Sequence, residues 1–301
     1  EQEEPDGNFT TCPFPNPEIR EAMQLGIEYA QRLNADLLLA TDPDCDRVGI
    51  AVKGKNGDFQ LLTGNQTGAL LLDFVCQLRI MNKTMPAHPY FVKTIVTSDM
   101  AEVIAKHYGV EVFNVLTGFK YIGDTIAMNE RIAPEKKYIL GFEESYGYLS
   151  GPYVRDKDAV NGSFLICEMF AYYMSKGISL LDRLQELYDQ FGYYLTTLDN
   201  YVFEGSAGFN KMKEIVKTFK EDVNSLGDFK IKEKLDYSKG INNLPKSDVI
   251  AFALENGSRI IIRPSGTEPK LKLYGIYKGK DKEAAEVVYN EVKAIISQYI
   301  K

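Results

Sequence analysis

From Ala35 to Phe142, short apolar runs alternate with stretches whose apolar residues recur every three or four positions, and this alternation limits the possible folds more than any other feature. Ala35–Ala40, with three leucines, reads as a buried strand of a parallel sheet. Val48–Val52 and Phe59–Leu62 follow as strands, with Asn56-Gly57 marking a hairpin between them. Tyr90–Thr97, Val110–Leu116 and Tyr138–Phe142 are the further strands. Helical spacing marks Glu18–Leu33, Gly64–Leu78, Asp99–Tyr108, a short helix from about Phe119, Lys157–Met174 and Leu180–Phe191. Strands and helices in this order predict α/β units. After Tyr194 the pattern changes. Leu195–Phe203, Phe229–Leu235, Val249–Leu254, Arg259–Ile262 and Leu271–Tyr277 read as strands, with helices at Ala207–Phe219 and Asp281–Tyr299, which predicts an α+β domain on an antiparallel sheet. A chain of 301 residues exceeds one ordinary core and fits two or three domains.

Charge and composition narrow the function. Lys and Arg total 35 against 42 Asp and Glu, a net charge of −7. That balance argues against a nucleic-acid binder but leaves room for a local phosphate pocket. No apolar run exceeds six residues, too short to span a bilayer, and the opening residues do not have the charged-then-apolar form of a secretory leader. Cys12, Cys45, Cys76 and Cys167 are scattered without a CxxC pair, which fits a reducing cytoplasm and neither a disulfide nor a zinc framework. With only His88 and His107, a histidine cluster is excluded. The chain opens on Glu1 without methionine and runs through Pro13, Pro15 and Pro17, as expected of a chain entering partway through something larger or of a processed N-terminus.

Four loops carry the chemistry. In Thr41-Asp42-Pro43-Asp44-Cys45-Asp46-Arg47, an extended backbone would point Asp42, Asp44 and Asp46 to one side. Three close carboxylates either raise their pKa values or bind a hard cation, and short oxygen-only loops suit Mg²⁺. An EF-hand calcium loop needs Gly at its sixth position and Glu at its twelfth, where this chain has Arg47 and Lys53. Gly141-Phe142-Glu143-Glu144-Ser145-Tyr146-Gly147 follows a strand, so its two carboxylates and hydroxyl would emerge on the usual ligand side of an α/β sheet, matched to sugar hydroxyls. It opens a long irregular segment, Gly141–Lys157, of the kind that is usually functional. In Arg155-Asp156-Lys157-Asp158, two cations precede a helix that Asp158 would cap. In Arg263-Pro264-Ser265-Gly266-Thr267, an arginine fork, two hydroxyls and a glycine nest suit a phosphate, without the GK[ST] of a Walker loop. Solvated turns and a capped surface helix are the plain alternatives for each loop alone. Together the four supply what phosphoryl transfer on a sugar phosphate requires, which is mainly positioning and charge neutralisation.

TDPDCDR, LTGFK (Leu116–Lys120), GFEES, RDKD and RPSGTEP, in that order, resemble the α-D-phosphohexomutases of the phosphoglucomutase/phosphomannomutase group. The resemblance implies a four-domain enzyme whose first-domain phosphoserine donates to a hexose phosphate, giving a hexose 1,6-bisphosphate that reorients and returns the other phosphate. It implies Mg²⁺ on Asp42, Asp44 and Asp46, with Arg47 beside it. Glu143 and Ser145 would bind sugar hydroxyls, with Thr117, Gly118 and Lys120 in the neighbouring specificity loop. Arg155 and Lys157 would face the substrate, Lys157 as the catalytic cation, and Arg263, Ser265, Gly266 and Thr267 would clamp the remote phosphate. The family's [ST]-x-S-H-N-P phosphoserine segment does not occur in this sequence. The expectation is therefore a C-terminal portion that binds but does not turn over. It would comprise part of domain II (1–60), domain III (61–194) and a TATA-binding-protein-like domain IV (195–301), with the missing N-terminal domains of the same protein as its partners. Without the phosphoserine oxygen, Mg²⁺ should bind weakly. Two rivals remain: a phosphatase using Asp42 as nucleophile, and a non-catalytic sugar-phosphate-binding module.

Overall fold

The computed structural model describes residues 2–241, 243–265 and 268–300. It divides into two compact units, Glu1–Thr97 with Ala101–Leu187, and Ser98–Met100 with Tyr188–Lys301. Among the described residues, no single helix is long and apolar enough to cross a membrane. All four cysteines are free.

The first unit opens with helix α1 (Arg20–Arg32) packed on a three-stranded sheet of β1 (Leu37–Thr41), β2 (Val48–Lys53) and β3 (Phe59–Leu62). This sheet is antiparallel, with Leu37 opposite Val52 and Thr41 opposite Val48, so the parallel strand expected at Ala35–Ala40 is corrected. An apolar run does not encode strand direction. Here the aspartate loop closes β1 and β2 into a hairpin, with Asp42 N donating to the Arg47 carbonyl. β1 is also only half-buried, because it is an edge strand of the described sheet.

Helix α2 (Gly64–Met81) starts from a capping box between Thr63 and Gln66. Then come β4 (Pro89–Thr94), α3 (Met100–His107), β5 (Glu111–Val115), α4 (Phe119–Ile132) and β6 (Lys137–Glu143), the alternation read from the sequence. β5, β4 and β6 are parallel neighbours in that order. The irregular segment expected at Gly141–Lys157 is interrupted by β7 (Gly147–Leu149), which folds back antiparallel on β6. Helix α5 (Ala159–Ser175) begins where Asp158 caps it, its carboxylate accepting from Val160 and Asn161 N–H, and α6 (Leu180–Phe191) follows.

In the second unit, β8 (Tyr193–Val202), α7 (Gly205–Glu221), β9 (Ser225–Leu226), β10 (Phe229–Asp236), β11 (Ile250–Leu254), β12 (Arg259–Pro264), β13 (Lys270–Gly279) and α8 (Lys282–Ile300) form the expected α+β domain. Its sheet runs β8-β13-β12-β11-β10-β9 and every pairing is antiparallel. Met212, Phe219, Val292 and Ile296 from the two helices share one core with Ile260, Ile262, Leu271 and Leu273, so both helices cover one face.

Asp73 ties the helices of the first unit together. It is fully buried on α2 and receives bidentate bonds of 2.9–3.1 Å from Arg183 on α6. Tyr108 and Tyr173 hydroxyls donate to it at 2.8 and 3.1 Å, and Gln77 at 2.8 Å. Burial, together with the Asp73 charge, pushes both phenols well above their ordinary pKa. Removing one partner of such a pair leaves the other charge buried and unpaired. Asp73→Ala is expected to cost about 3–5 kcal/mol, read as a lowered midpoint in urea unfolding, with Asp73→Asn costing less.

Candidate functional site

Asp42 lies at the end of β1 and is 2% exposed. Its Oδ1 accepts from the Asp46 and Arg47 N–H groups at 3.1 and 2.9 Å, and its Oδ2 from Arg47 Nε. Burial alone would raise its pKa, but these bonds and the Arg47 charge outweigh burial and lower it. The loop is a turn, not an extended stretch: Cys45 adopts φ +57. The turn still gathers Asp42, Asp44 and Asp46, whose ligand oxygens lie within 4.8 Å of one another. The grouping was legible in the spacing, but its geometric reason was not strand alternation. Asp46 Oδ1 is buried and lacks a hydrogen-bond partner among the described residues. An all-oxygen donor set with one orphaned buried carboxylate oxygen fits a hard divalent cation. Asp42 fits the rival role of phosphorylated nucleophile poorly, since in-line attack needs an open approach.

Lys157 closes over this loop. Its Nζ lies 2.7 Å from Asp46 Oδ2. Burial would lower its pKa, yet the bonded Asp46, with Asp156 and Glu143 nearby, outweighs burial and raises it, which keeps the ammonium charged. Burial and the Asp42 charge push the Asp46 carboxyl up, against the pull of Lys157. Next along the chain, Ala159 N donates to the Cys45 carbonyl at 3.1 Å, so the start of α5 is fastened to the aspartate loop. Val48 N donates to the Tyr146 carbonyl at 3.1 Å, which fastens the same hairpin to the acidic loop after β6.

That acidic loop separates its two carboxylates. Glu143, 5% exposed, accepts from Gly118 N at 2.9 Å at the start of α4, where φ +122 turns the glycine N–H toward it. Burial first, then the Glu144 charge, pushes Glu143 up to about 7 against the opposing pull of Lys157 and the Gly118 bond. Glu144 turns back to the sheet and accepts from the Thr94 and Thr97 hydroxyls at 3.2 and 3.3 Å. The paired reading of these glutamates is thereby corrected, because the strand end sends neighbouring side chains to opposite sides. Ser145 is half-buried and has no side-chain partner among the described residues, and Thr117 Oγ1 is a buried orphan. Lys120 is exposed, its ammonium 4.9 Å from the Tyr121 ring centre. Arg155 departs from its expected direction. Its guanidinium pairs with Glu130, roughly 18 Å along α4 from Gly118 at 1.5 Å per residue.

In the second unit, Arg263 lies near the end of β12, half-buried and without an ion pair or hydrogen bond from its side chain among the described residues. Ser265 N donates to the Lys270 carbonyl at 2.7 Å, and Ser265 Oγ accepts from Glu268 N at 3.3 Å. Gly266 and Thr267 lie outside the described residues. Directly across the sheet from Arg263 stands Lys272, on the face away from the helices. Like charges directly opposite repel unless an anion lies between them. The sequence reading missed Lys272, and its alternation with Leu271 and Leu273 was the available signal.

Comparisons with known proteins agree with this arrangement. Sequence models of the phosphoglucomutase/phosphomannomutase family match in chain order: alpha/beta/alpha domain II over residues 1–56, alpha/beta/alpha domain III over 63–191 and the C-terminal domain over 211–294. A phosphoglucomutase of Staphylococcus saprophyticus is 39% identical over 287 residues, covering 91% of this chain and 51% of that protein. One from Staphylococcus aureus is 37% identical over 282 residues, covering 90% and 50%. The open form of parafusin, a phosphoglucomutase from Paramecium, shares the fold with a TM-score of 0.68 at 20% identity, covering 94% of this chain and 50% of that one. The chain spans about half the length of the curated relatives it matches. In order, sequence and fold, it belongs to the phosphoglucomutase/phosphomannomutase family of α-D-phosphohexomutases.

Proposed function

We propose that this chain supplies the metal-, sugar- and phosphate-binding parts of a cytoplasmic mutase that interconverts hexose 1-phosphate and hexose 6-phosphate, with glucose the hexose. The observation carrying this reading is Lys157, whose ammonium meets Asp46 of the acidic triad while its charge reaches Glu143. The named activity of the staphylococcal relatives supports glucose. The domains run 1–60, 61–194 and 195–301. Asp42, Asp44 and Asp46 hold Mg²⁺, which when bound polarises a phosphoryl oxygen and neutralises developing charge. Arg47 fixes Asp42, and Lys157 keeps a proton at Nζ to stabilise the transferring phosphoryl oxygens. Glu143 and Ser145 accept and donate to sugar hydroxyls, Thr117 and Gly118 shape that end, and Lys120 lies beside it. Arg263, Ser265, Gly266 and Thr267 clamp the second phosphate, with Lys272 as an added cation. Arg155 joins the substrate only by leaving Glu130.

The phosphoserine that exchanges phosphate with a hexose 1,6-bisphosphate comes from outside this sequence, so the chain binds without turnover. Calorimetry with glucose 1,6-bisphosphate should show binding that Glu143→Gln weakens by roughly tenfold or more, the worth of a hydrogen bond to a charged group. Mutase turnover by the purified chain, or an absence of binding, would count against the proposal.

Mg²⁺ should raise the melting temperature of the chain by mass action. Asp44 is exposed and its side chain makes no hydrogen bond or ion pair among the described residues, so Asp44→Asn should keep stability within about 0.5 kcal/mol without metal while abolishing the Mg²⁺ increment. An undiminished increment would remove Asp44 from the metal site.

Glu143 also sets a pH dependence. Its pKa rises from 4.5 when unfolded to about 7 when folded, so the folded state holds the extra proton between those values. Stability therefore falls as pH rises through that window, by up to about 3 kcal/mol. Glu143→Gln should flatten this slope in denaturation curves. Sugar-phosphate affinity should move the opposite way, strengthening from about pH 6 to 8 as the carboxylate becomes an acceptor.

A further inference from the structure

We infer that Gly147 is a positioning residue for Lys157, holding its ammonium at the aspartate loop by leaving free the space in which the aliphatic stem lies. Gly147 opens β7 opposite Glu143, and its backbone is not in the left-handed region. Local conformation therefore does not require glycine there. Space does. A Cβ built on Gly147 would lie 2.4 Å from Lys157 Cδ, 3.1 Å from its Cβ and 3.3 Å from its Cγ. The aliphatic stem of Lys157 lies flat on the bare glycine backbone, and Nζ reaches Asp46 at 2.7 Å from that bed.

The chain around this contact is fixed on both sides. Asp158 N donates to the Tyr148 carbonyl at 3.1 Å, and Ala159 N to the Cys45 carbonyl at 3.1 Å. The Lys157 backbone cannot retreat, so a methyl group at residue 147 must displace the flexible stem. The strand would survive this while the ammonium leaves Asp46. Tyr148, beside Gly147, is buried against α2 and the start of α5, so the bed itself is rigid.

The functional weight of this contact rests on the role proposed for Lys157, and the test separates the two. The variants are Gly147→Ala, Lys157→Ala and the double variant, each in the whole chain. A crystal structure of Gly147→Ala should place Lys157 Nζ beyond ion-pairing distance of Asp46, more than about 4 Å. Calorimetry with glucose 1,6-bisphosphate and Mg²⁺ should show Gly147→Ala and Lys157→Ala each weakening binding by roughly tenfold to a hundredfold. The double variant should be no weaker than Lys157→Ala, since Gly147 acts only through that side chain. An unmoved Lys157, or additive losses in the double variant, overturns the inference. A displaced Lys157 with wild-type affinity in all three variants upholds the steric role and overturns the binding role proposed for Lys157.

Discussion

The start of α5 is the joint on which the first unit's site depends. Within three residues it delivers the Lys157 ammonium to Asp46, the Asp158 N–H to β7 and the Ala159 N–H to the aspartate loop. The Asp158 side chain meanwhile caps the helix, so the segment cannot shift along its axis without uncapping it. Behind it, α5 and α6 are held to α2 through Tyr173, Arg183 and Asp73. Two loops distant in sequence thus take their relative placement from one helix terminus, itself anchored in a buried ion pair.

Burial and charge act differently on the carboxylates of that site. Asp42 is buried, yet two backbone N–H donors and the Arg47 guanidinium keep it ionised. Glu143 has one backbone donor and the field of Lys157, which do not offset its burial and the neighbouring Glu144. The aspartate is built as a permanent charge and the glutamate as a group poised near neutrality. A permanent charge suits a metal ligand, and a poised carboxyl suits an acceptor whose partner arrives with the substrate.

Much of this was legible in the sequence because the signals are local. Aspartate spacing, a strand leading into GFEES, Asp158 as a cap and the change of pattern after Tyr194 each depend on residues within one or two turns of each other. What the sequence hid is set by tertiary closure. The direction of β1 follows from the hairpin, and the parting of Glu143 from Glu144 depends on Thr94 and Thr97, some fifty residues away. Arg155 and Lys157 are two residues apart with similar charge, and Glu130, brought alongside by α4, draws the arginine away together with the Pro152 carbonyl. The Asp73 cluster was invisible for the same reason, since its partners are spread from Gln77 to Arg183.

Charge balance favours a divalent cation at the site proposed for the first unit. Among the described residues Asp42 and Asp46 pair with Arg47 and Lys157, so with Asp42, Asp44, Asp46 and Glu143 all ionised these four carboxylates outnumber the two cations by two charges. A sugar phosphate approaching it would be repelled. A divalent cation would cancel that excess, and the arginine, which bonds Asp42 and lies 3.6 Å from Asp46, and the lysine on Asp46 would then act as fixed donors instead of counter-charges. By that count the loss of either cation would return the cluster to net negative charge even with a divalent cation present; Arg47 differs in also holding the loop in shape through buried Asp42.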